Sequence, residues 1–247
     1  MISPEEDLFL RTYFPIINYK FDQWFKTVQY KEKTLNEEEK AEFVKVVDET
    51  VSSFASGLPY FTDELNRLAD SDDVFHRLYR TICSVSLFVL MTMCDCMVAG
   101  KYFILADTDY DKRFMRGKMK VILNEGFKKL YGYKEVNKNK SEWFRLLDYM
   151  KYFPENIKLQ YRYLTNLLDN QSKSSSWWKE ERDYETHIDS EKLYESRMVD
   201  IKESKEVMET LQLYNALFAV NHFLGNAHAY LTNLLVDKYL RGELKEE

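Results

Sequence analysis

The residues best suited to chemistry lie in one short segment, from Arg182 to His187. Asp183 and His187 are four residues apart, so on a helix their side chains face each other, and the carboxylate can orient the imidazole and raise its pKa. Arg182 and His187 differ by about 140° on a straight helix. The two side chains can therefore face one cleft only if the helix ends near His187. Asp189 and Ser190 are residue types that cap the start of a new helix, so they predict such an end.

An arginine, four residues and then a histidine, with a polar residue directly after the arginine, resembles the signature of the HEPN superfamily. Members of that family are α-helical bundles, and this sequence reads as helical throughout. The resemblance implies a metal-independent endoribonuclease of toxin or phage-defence type, in which the RNA 2′-OH attacks the adjacent phosphate without a cofactor. It also implies a homodimer, with two copies of the motif facing one cleft, and allows for an antitoxin as protein partner.

The same resemblance implies a role for each residue of the motif. His187 would act as general base or acid, Arg182 would clamp the phosphate and stabilise charge on its oxygens, and Asp183 would orient His187. Some HEPN domains are not catalytic and serve as interaction modules. A non-enzymatic helical protein-interaction module is therefore the alternative function.

A basic stretch between about residues 110 and 140 is a candidate RNA surface. Its lysines and arginines outnumber its carboxylates, and Tyr110, Phe114, Tyr131 and Tyr133 lie among them. Proteins bind single strands with cations along the backbone and aromatic rings on the bases. Such a run is also typical of a solvated helix face. The candidate RNA-binding residues are Lys112, Arg113, Arg116, Lys120, Lys128 and Lys129.

The sequence lacks the motifs that are typical of several other classes of functional site. The sequence contains no Gly-rich phosphate loop and no Gly-x-Ser-x-Gly elbow. None of the four histidines completes the Glu-x-x-His pattern of di-iron bundles, and Cys94-Asp-Cys96 is not a zinc spacing. We therefore predict no metal and no cofactor. A small-molecule site lined by Met91, Met93 and Met97 is a third alternative, although methionine stripes are usually core.

Composition predicts the fold class. Seven glycines and four prolines are few for 247 residues, and both residue types break helices. The hydrophobic content of 45% and the charged content of 31% are those of a globular protein. The net charge of −6 argues mildly against nucleic acid as a partner for the whole surface. We expect an all-α helical bundle without strands.

Apolar periodicity and capping residues predict where the helices lie. Ser3-Pro4 opens a first helix, and Thr34 to Glu37 caps a second that ends near Gly57. Asp70 to Asp73 opens a long helix to about Ala106, which is apolar nearly all round from Ile82 to Met93, as a buried central helix is. A last long helix runs from about Lys202 to Arg241. Shorter helices are expected over about 59–68, 110–130, 141–153, 154–170 and 177–187.

These elements predict one helical domain over residues 1–247, in which helices within residues 1–57 pack on a HEPN-like bundle of residues 72–240. Asp95 and Lys101 interrupt the most apolar stretch, so we predict no membrane span. The N-terminus lacks the pattern of a signal peptide, and the three cysteines lie in one apolar stretch as reduced thiols would. Both features favour the cytoplasm.

Overall fold

The computed structural model describes residues 35–132, 140–174 and 203–243. This part of the chain forms six α-helices and one 3₁₀ helix, and it contains no strand. The helices are α1 (Glu37–Ala55), α2 (Leu58–Arg67), α3 (Val74–Leu105), α4 (Asp109–Leu130), the 3₁₀ helix (Phe144–Tyr152), α5 (Glu155–Ser174) and α6 (Glu203–Leu240). The predicted all-α bundle is confirmed.

Helix α3 is the centre of the bundle. Helices α1, α2, α4 and α6 pack on it, and the 3₁₀ helix also contacts it. It is long and apolar enough to cross a membrane, but 61% of its most apolar window is buried inside the protein. This burial is typical of a core helix, because an apolar surface that faces other helices is removed from water. The prediction of a long buried central helix is confirmed.

Two side-chain caps set the starts of α1 and α3. The Asp73 carboxylate accepts hydrogen bonds from the backbone N–H groups of Phe75 and His76, at 2.7 and 3.1 Å. Asn36 and Glu39 form a reciprocal capping box, with both hydrogen bonds at 2.9 Å. The first N–H groups of a helix have no partner within the helix, so these side chains satisfy them.

Helix α1 packs along the C-terminal half of α3. Its Phe43 side chain is fully buried, and a Cβ added at Gly100 would lie 3.5 Å from the Phe43 ring. Asp48, further along α1, forms an ion pair with Lys101. Just beyond the other end of α1, a Cβ added at Gly57 would lie 3.9 Å from Cδ1 of Leu90, so α1 runs antiparallel to this half of α3. The predicted helix within residues 1–34 lies outside the described residues.

Gly126 marks a close approach of α4 to α3. A Cβ at this position would lie only 2.7 Å from Cγ2 of Thr92. We expect Gly126→Ala to lower the free energy of unfolding by roughly 1–2 kcal/mol, because an added methyl group in a packed contact forces its neighbours to shift. Urea denaturation measures this change.

Gly225 in α6 is the matched control, because a Cβ there would meet no atom within 4 Å. Gly225→Ala should raise the free energy of unfolding by about 0.5–1 kcal/mol, since alanine favours the helix over glycine. If both alanines stabilised the protein equally, the close approach at Gly126 would be refuted.

Candidate functional site

The predicted catalytic residues Arg182, Asp183 and His187 lie outside the described residues, so their roles stay predictions. The structure does describe the helices on either side of them: α5 ends at Ser174, and α6 begins at Glu203. On each side of the motif, a described residue contacts α4 or a residue just after it.

At the end of α5, the Ser172 hydroxyl donates a hydrogen bond of 3.3 Å to the carbonyl oxygen of Gly132, two residues beyond α4. At the start of α6, Glu206 forms ion pairs with two cations of α4. The described residues on the two sides of the motif therefore contact the helix that carries the predicted RNA-binding cations, or the residues just after it.

Arg116 and Lys120 lie one turn apart on α4, and both bind Glu206. The Arg116 Nε–Glu206 Oε1 distance is 2.8 Å, and the Lys120 Nζ–Glu206 Oε2 distance is 2.9 Å. The three side chains are 8%, 1% and 3% exposed. Burial by itself would raise the pKa of the Glu206 carboxyl, but the charges and hydrogen bonds of Lys120 and Arg116 outweigh it and lower that pKa. We call these residues the buried ion triad.

The structure places the other four predicted RNA-binding residues outside this triad. Lys112, Arg113 and Lys128 are half-buried, and Lys129 is exposed. Lys128 lies 3.7 Å from Glu125, and the Lys129 ammonium lies 5.1 Å from the centre of the Phe88 ring. The basic stretch therefore does not form one face. Arg116 and Lys120 turn towards α6, where Glu206 neutralises charge that could not be buried alone.

The exposed side of α4 combines aromatic rings with lysines. Tyr110 is 73% exposed and Phe114 is 42% exposed. The Lys118 ammonium lies 5.0 Å from the centre of the Phe114 ring, one helical turn away. Tyr110, Phe114, Lys118 and Lys129 recur at helical spacing, and we call them the α4 outer face. The sequence indicated the two aromatic rings here, but it could not indicate which cations would lie beside them.

His76 is part of a hydrogen-bond network inside the bundle. It is 2% exposed, and its Nδ1 lies 2.6 Å from the Ser71 hydroxyl. Its Nε2 lies 2.8 Å from the Tyr239 hydroxyl. The network therefore joins the start of α3 to the end of α6. Within the part of the chain that the structure describes, no group of three or more His, Cys, Asp or Glu side chains could hold a metal ion.

His228 of α6 lies in a second network, which includes two tyrosine hydroxyls. Its Nε2 is 2.7 Å from Tyr79 and 3.1 Å from Tyr60, and the two hydroxyls are 2.9 Å apart. Burial lowers the pKa of the His228 imidazole below its ordinary value, against the opposite effect of the nearby Glu64 carboxylate. The cluster joins α2, α3 and α6, with His228 as a neutral imidazole near neutral pH.

This lowered pKa makes stability depend on pH. As the pH falls below about 6.5, the ordinary histidine value, the unfolded chain takes up a proton on His228 before the folded protein does. The free energy of unfolding therefore falls with pH, until the pH passes the lower pKa of the folded state. We expect His228→Gln to remove this part of the pH dependence in urea denaturation between about pH 8 and 5. The same slope in wild type and variant would contradict the assignment to His228.

The three methionines that were candidates for a small-molecule site do not line a common cavity. Met93 and Met97 are fully buried in the core, whereas Met91 is 50% exposed on another face of α3. A groove of about 480 Å³ lies elsewhere, beside the 3₁₀ helix and α5. Its residues are Phe144, Leu147, Met150, Lys158, Tyr161, Arg162, Thr165 and Asn166. Sequence reasoning missed this groove because it forms where two separate elements meet, without a local motif.

Comparison of the chain with known proteins assigns no family. The likeness to HEPN proteins therefore rests on the Arg182 to His187 motif together with the all-α fold. No protein-family model, curated protein or solved structure matches the chain.

Proposed function

We propose that this chain is a HEPN-like, metal-independent endoribonuclease of toxin or phage-defence type. The observation that carries the proposal is the sequence motif Arg182-Asp183-x3-His187. Two further features support it. One is the all-α fold, and the other is that Ser172 contacts Gly132 just after α4 while Glu206 contacts α4 itself, on the two sides of the motif.

In the proposed reaction, His187 removes the proton from an RNA 2′-OH, which then attacks the adjacent phosphorus. Arg182 binds the non-bridging oxygens and stabilises the negative charge that develops on them. The bond to the 5′-oxygen of the next nucleotide breaks, and that oxygen takes up a proton from an acid. The products are a 2′,3′-cyclic phosphate and a 5′-hydroxyl. Asp183, four residues before His187, holds the imidazole in position.

The α4 outer face is a suitable surface for the RNA strand. Exposed Tyr110 and Phe114 can stack on unpaired bases, because every base has an aromatic face. Lys118 and Lys129 can neutralise phosphates next to those bases. This surface favours single-stranded RNA, because unpaired bases are open to stacking on exposed rings.

The test is cleavage of one labelled single-stranded RNA by the full chain in excess EDTA, with DNA of the same sequence as control. The proposal predicts cleavage of RNA alone, since DNA lacks the attacking 2′-OH. Cleavage of both strands, or RNA cleavage that EDTA abolishes, would refute the mechanism.

The second candidate is a non-enzymatic helical protein-interaction module, and the groove beside the 3₁₀ helix and α5 favours it. Leu147 on its apolar side is 51% exposed. Lys158 and Arg162 on its other side lie 3.8 and 2.8 Å from Glu155. Such a groove fits a partner segment with apolar and acidic side chains. A correctly folded protein that cleaves no RNA would favour this second function.

A further inference from the structure

The groove beside the 3₁₀ helix and α5 has one apolar wall. The 3₁₀ helix runs for nine residues, although runs longer than about four residues are uncommon. Side chains three residues apart in such a helix lie directly above one another. Phe144, Leu147 and Met150 therefore form a straight row about 12 Å long, with a spacing of about 6 Å, which we call the apolar row. Leu147, in the middle of this row, is 51% exposed.

The opposite wall of the groove is polar, and α5 supplies it. Lys158, Arg162 and Asn166 are four residues apart on this helix, so they form a second row with the same spacing of about 6 Å, which we call the polar row. Glu155 contacts both cations, but its side chain is 67% exposed and its single charge balances only one of theirs. The Asn166 carboxamide has no hydrogen-bond partner among the described residues. The polar row can therefore bind acidic side chains.

The two rows run antiparallel along the groove. The Trp143 indole N–H donates a hydrogen bond of 2.9 Å to Oγ1 of Thr165, so the start of the 3₁₀ helix lies beside the far end of the polar row. At the other end, only residues 153 and 154 separate the 3₁₀ helix from α5. An extended chain directs its side chains alternately to its two sides, and neighbours on one side are about 6.6 Å apart. This repeat is close to the spacing of both rows.

The size of the groove favours an extended chain over a helix. The groove has a volume of about 480 Å³. Over a length of about 12 Å, an extended chain occupies roughly 600 Å³, if neighbouring chains and layers are spaced as in packed sheets. An α-helix about 11 Å across occupies roughly 1,100 Å³ over the same length. An extended chain therefore fits with its outer edge in water, whereas most of a helix would remain outside.

We propose that the groove binds an extended segment of a partner protein in which apolar and acidic residues alternate. Three apolar side chains of that segment contact the apolar row. The two acidic side chains between them point to the polar row, one between Lys158 and Arg162 and the other between Arg162 and Asn166. Apolar contact supplies the burial, and the cations select against a basic or neutral segment. The proposal rests on the second candidate function, a protein-interaction module, and does not depend on RNA cleavage.

The probe is a fluorescent peptide in which leucine and glutamate alternate, with three leucines and two glutamates between glycine-serine ends. Fluorescence anisotropy with the full chain should give a dissociation constant below about 1 mM. Two control peptides should bind at least about 10-fold more weakly. In one, lysine replaces glutamate. In the other, the same residues are spaced so that the leucines share one face of a helix.

Substitutions in the two rows test where the peptide binds. Arg162→Glu and Leu147→Glu should each weaken binding by about 10-fold or more. Lys173→Glu, on α5 with a side chain 72% exposed, and Val236→Glu, at a valine 50% exposed on α6, are the matched controls and should not change it. Glu155→Gln should tighten binding by about two- to fivefold, because the peptide no longer competes with an internal carboxylate. Circular dichroism verifies that each variant is folded.

Three outcomes would overturn the proposal. A folded wild-type chain that binds none of the peptides would show that the groove is not a site for such a segment. Tighter binding of the helically spaced peptide, abolished by Leu147→Glu, would keep an interaction module but replace the extended occupant with a helix. Equal binding by wild type and by both row variants would place the site elsewhere. RNA cleavage by the same preparations tests the ribonuclease proposal separately.

Discussion

Replacing His187 by alanine should lower the rate of RNA cleavage by about 10²- to 10⁴-fold, because the reaction loses the general base that accepts the 2′-OH proton. Arg182→Ala should lower it by about 10²- to 10³-fold, because charge on the phosphate oxygens loses its stabilising partner. The double variant should be little slower than His187→Ala, since residues that act as a unit are not additive. Single-turnover cleavage of a labelled RNA measures all three rates.

Arg162→Ala is the control for these substitutions. Arg162 lies on α5, its side chain is 61% exposed, and it forms an ion pair with Glu155. This variant should cleave RNA at the wild-type rate, and all variants should unfold at similar temperatures. A His187→Ala protein with wild-type activity would remove this histidine from the mechanism.

The second large effect is expected in the buried ion triad. Glu206→Ala should lower the free energy of unfolding by about 3–5 kcal/mol, because it leaves the buried cations Arg116 and Lys120 without this carboxylate. Urea denaturation at neutral pH measures the loss. The lowered pKa of Glu206 also predicts a pH dependence. Its contribution to stability is complete above about pH 4.5, the ordinary glutamate range, and is lost as the pH falls through the lower pKa of the folded state.

Glu155→Ala is a matched control, since Glu155 also lies between a lysine and an arginine. Its side chain is 67% exposed, and its partners Lys158 and Arg162 are 34% and 61% exposed. Water screens such pairs, so this substitution should change the free energy of unfolding by less than about 1 kcal/mol. Equal losses for Glu155→Ala and Glu206→Ala would contradict a special role for burial.

The sequence predicted those parts of the fold that depend on local patterns. The central helix was predicted to open with Asp70 to Asp73, and the structure places its cap at Asp73. A carboxylate that accepts from N–H groups two and three residues later is a local interaction. The last long helix was expected over about Lys202 to Arg241 and is observed over Glu203–Leu240. The 3₁₀ helix was expected only as a short helix, and its tighter turn has no strong sequence signal.

Features that depend on contacts between distant residues could not be predicted. From the sequence alone, Arg116 and Lys120 are candidate phosphate-binding cations. Glu206 is far away in the sequence, and no local pattern indicates that it contacts them. The apolar pattern of the central helix likewise did not indicate which of its apolar side chains are exposed. Met91 and Tyr102 are residue types common in cores, and their exposure depends on where α1 and α4 lie.

The measurement that tests the central claim most directly is mass spectrometry of the RNA ends produced in EDTA by wild type and by His187→Ala. We predict 2′,3′-cyclic phosphate and 5′-hydroxyl ends from the wild type, and neither product above background from the variant. Ends with a 3′-hydroxyl and a 5′-phosphate, or cyclic phosphate ends formed equally by both proteins, would contradict the account of Arg182 and His187 as a metal-independent ribonuclease site.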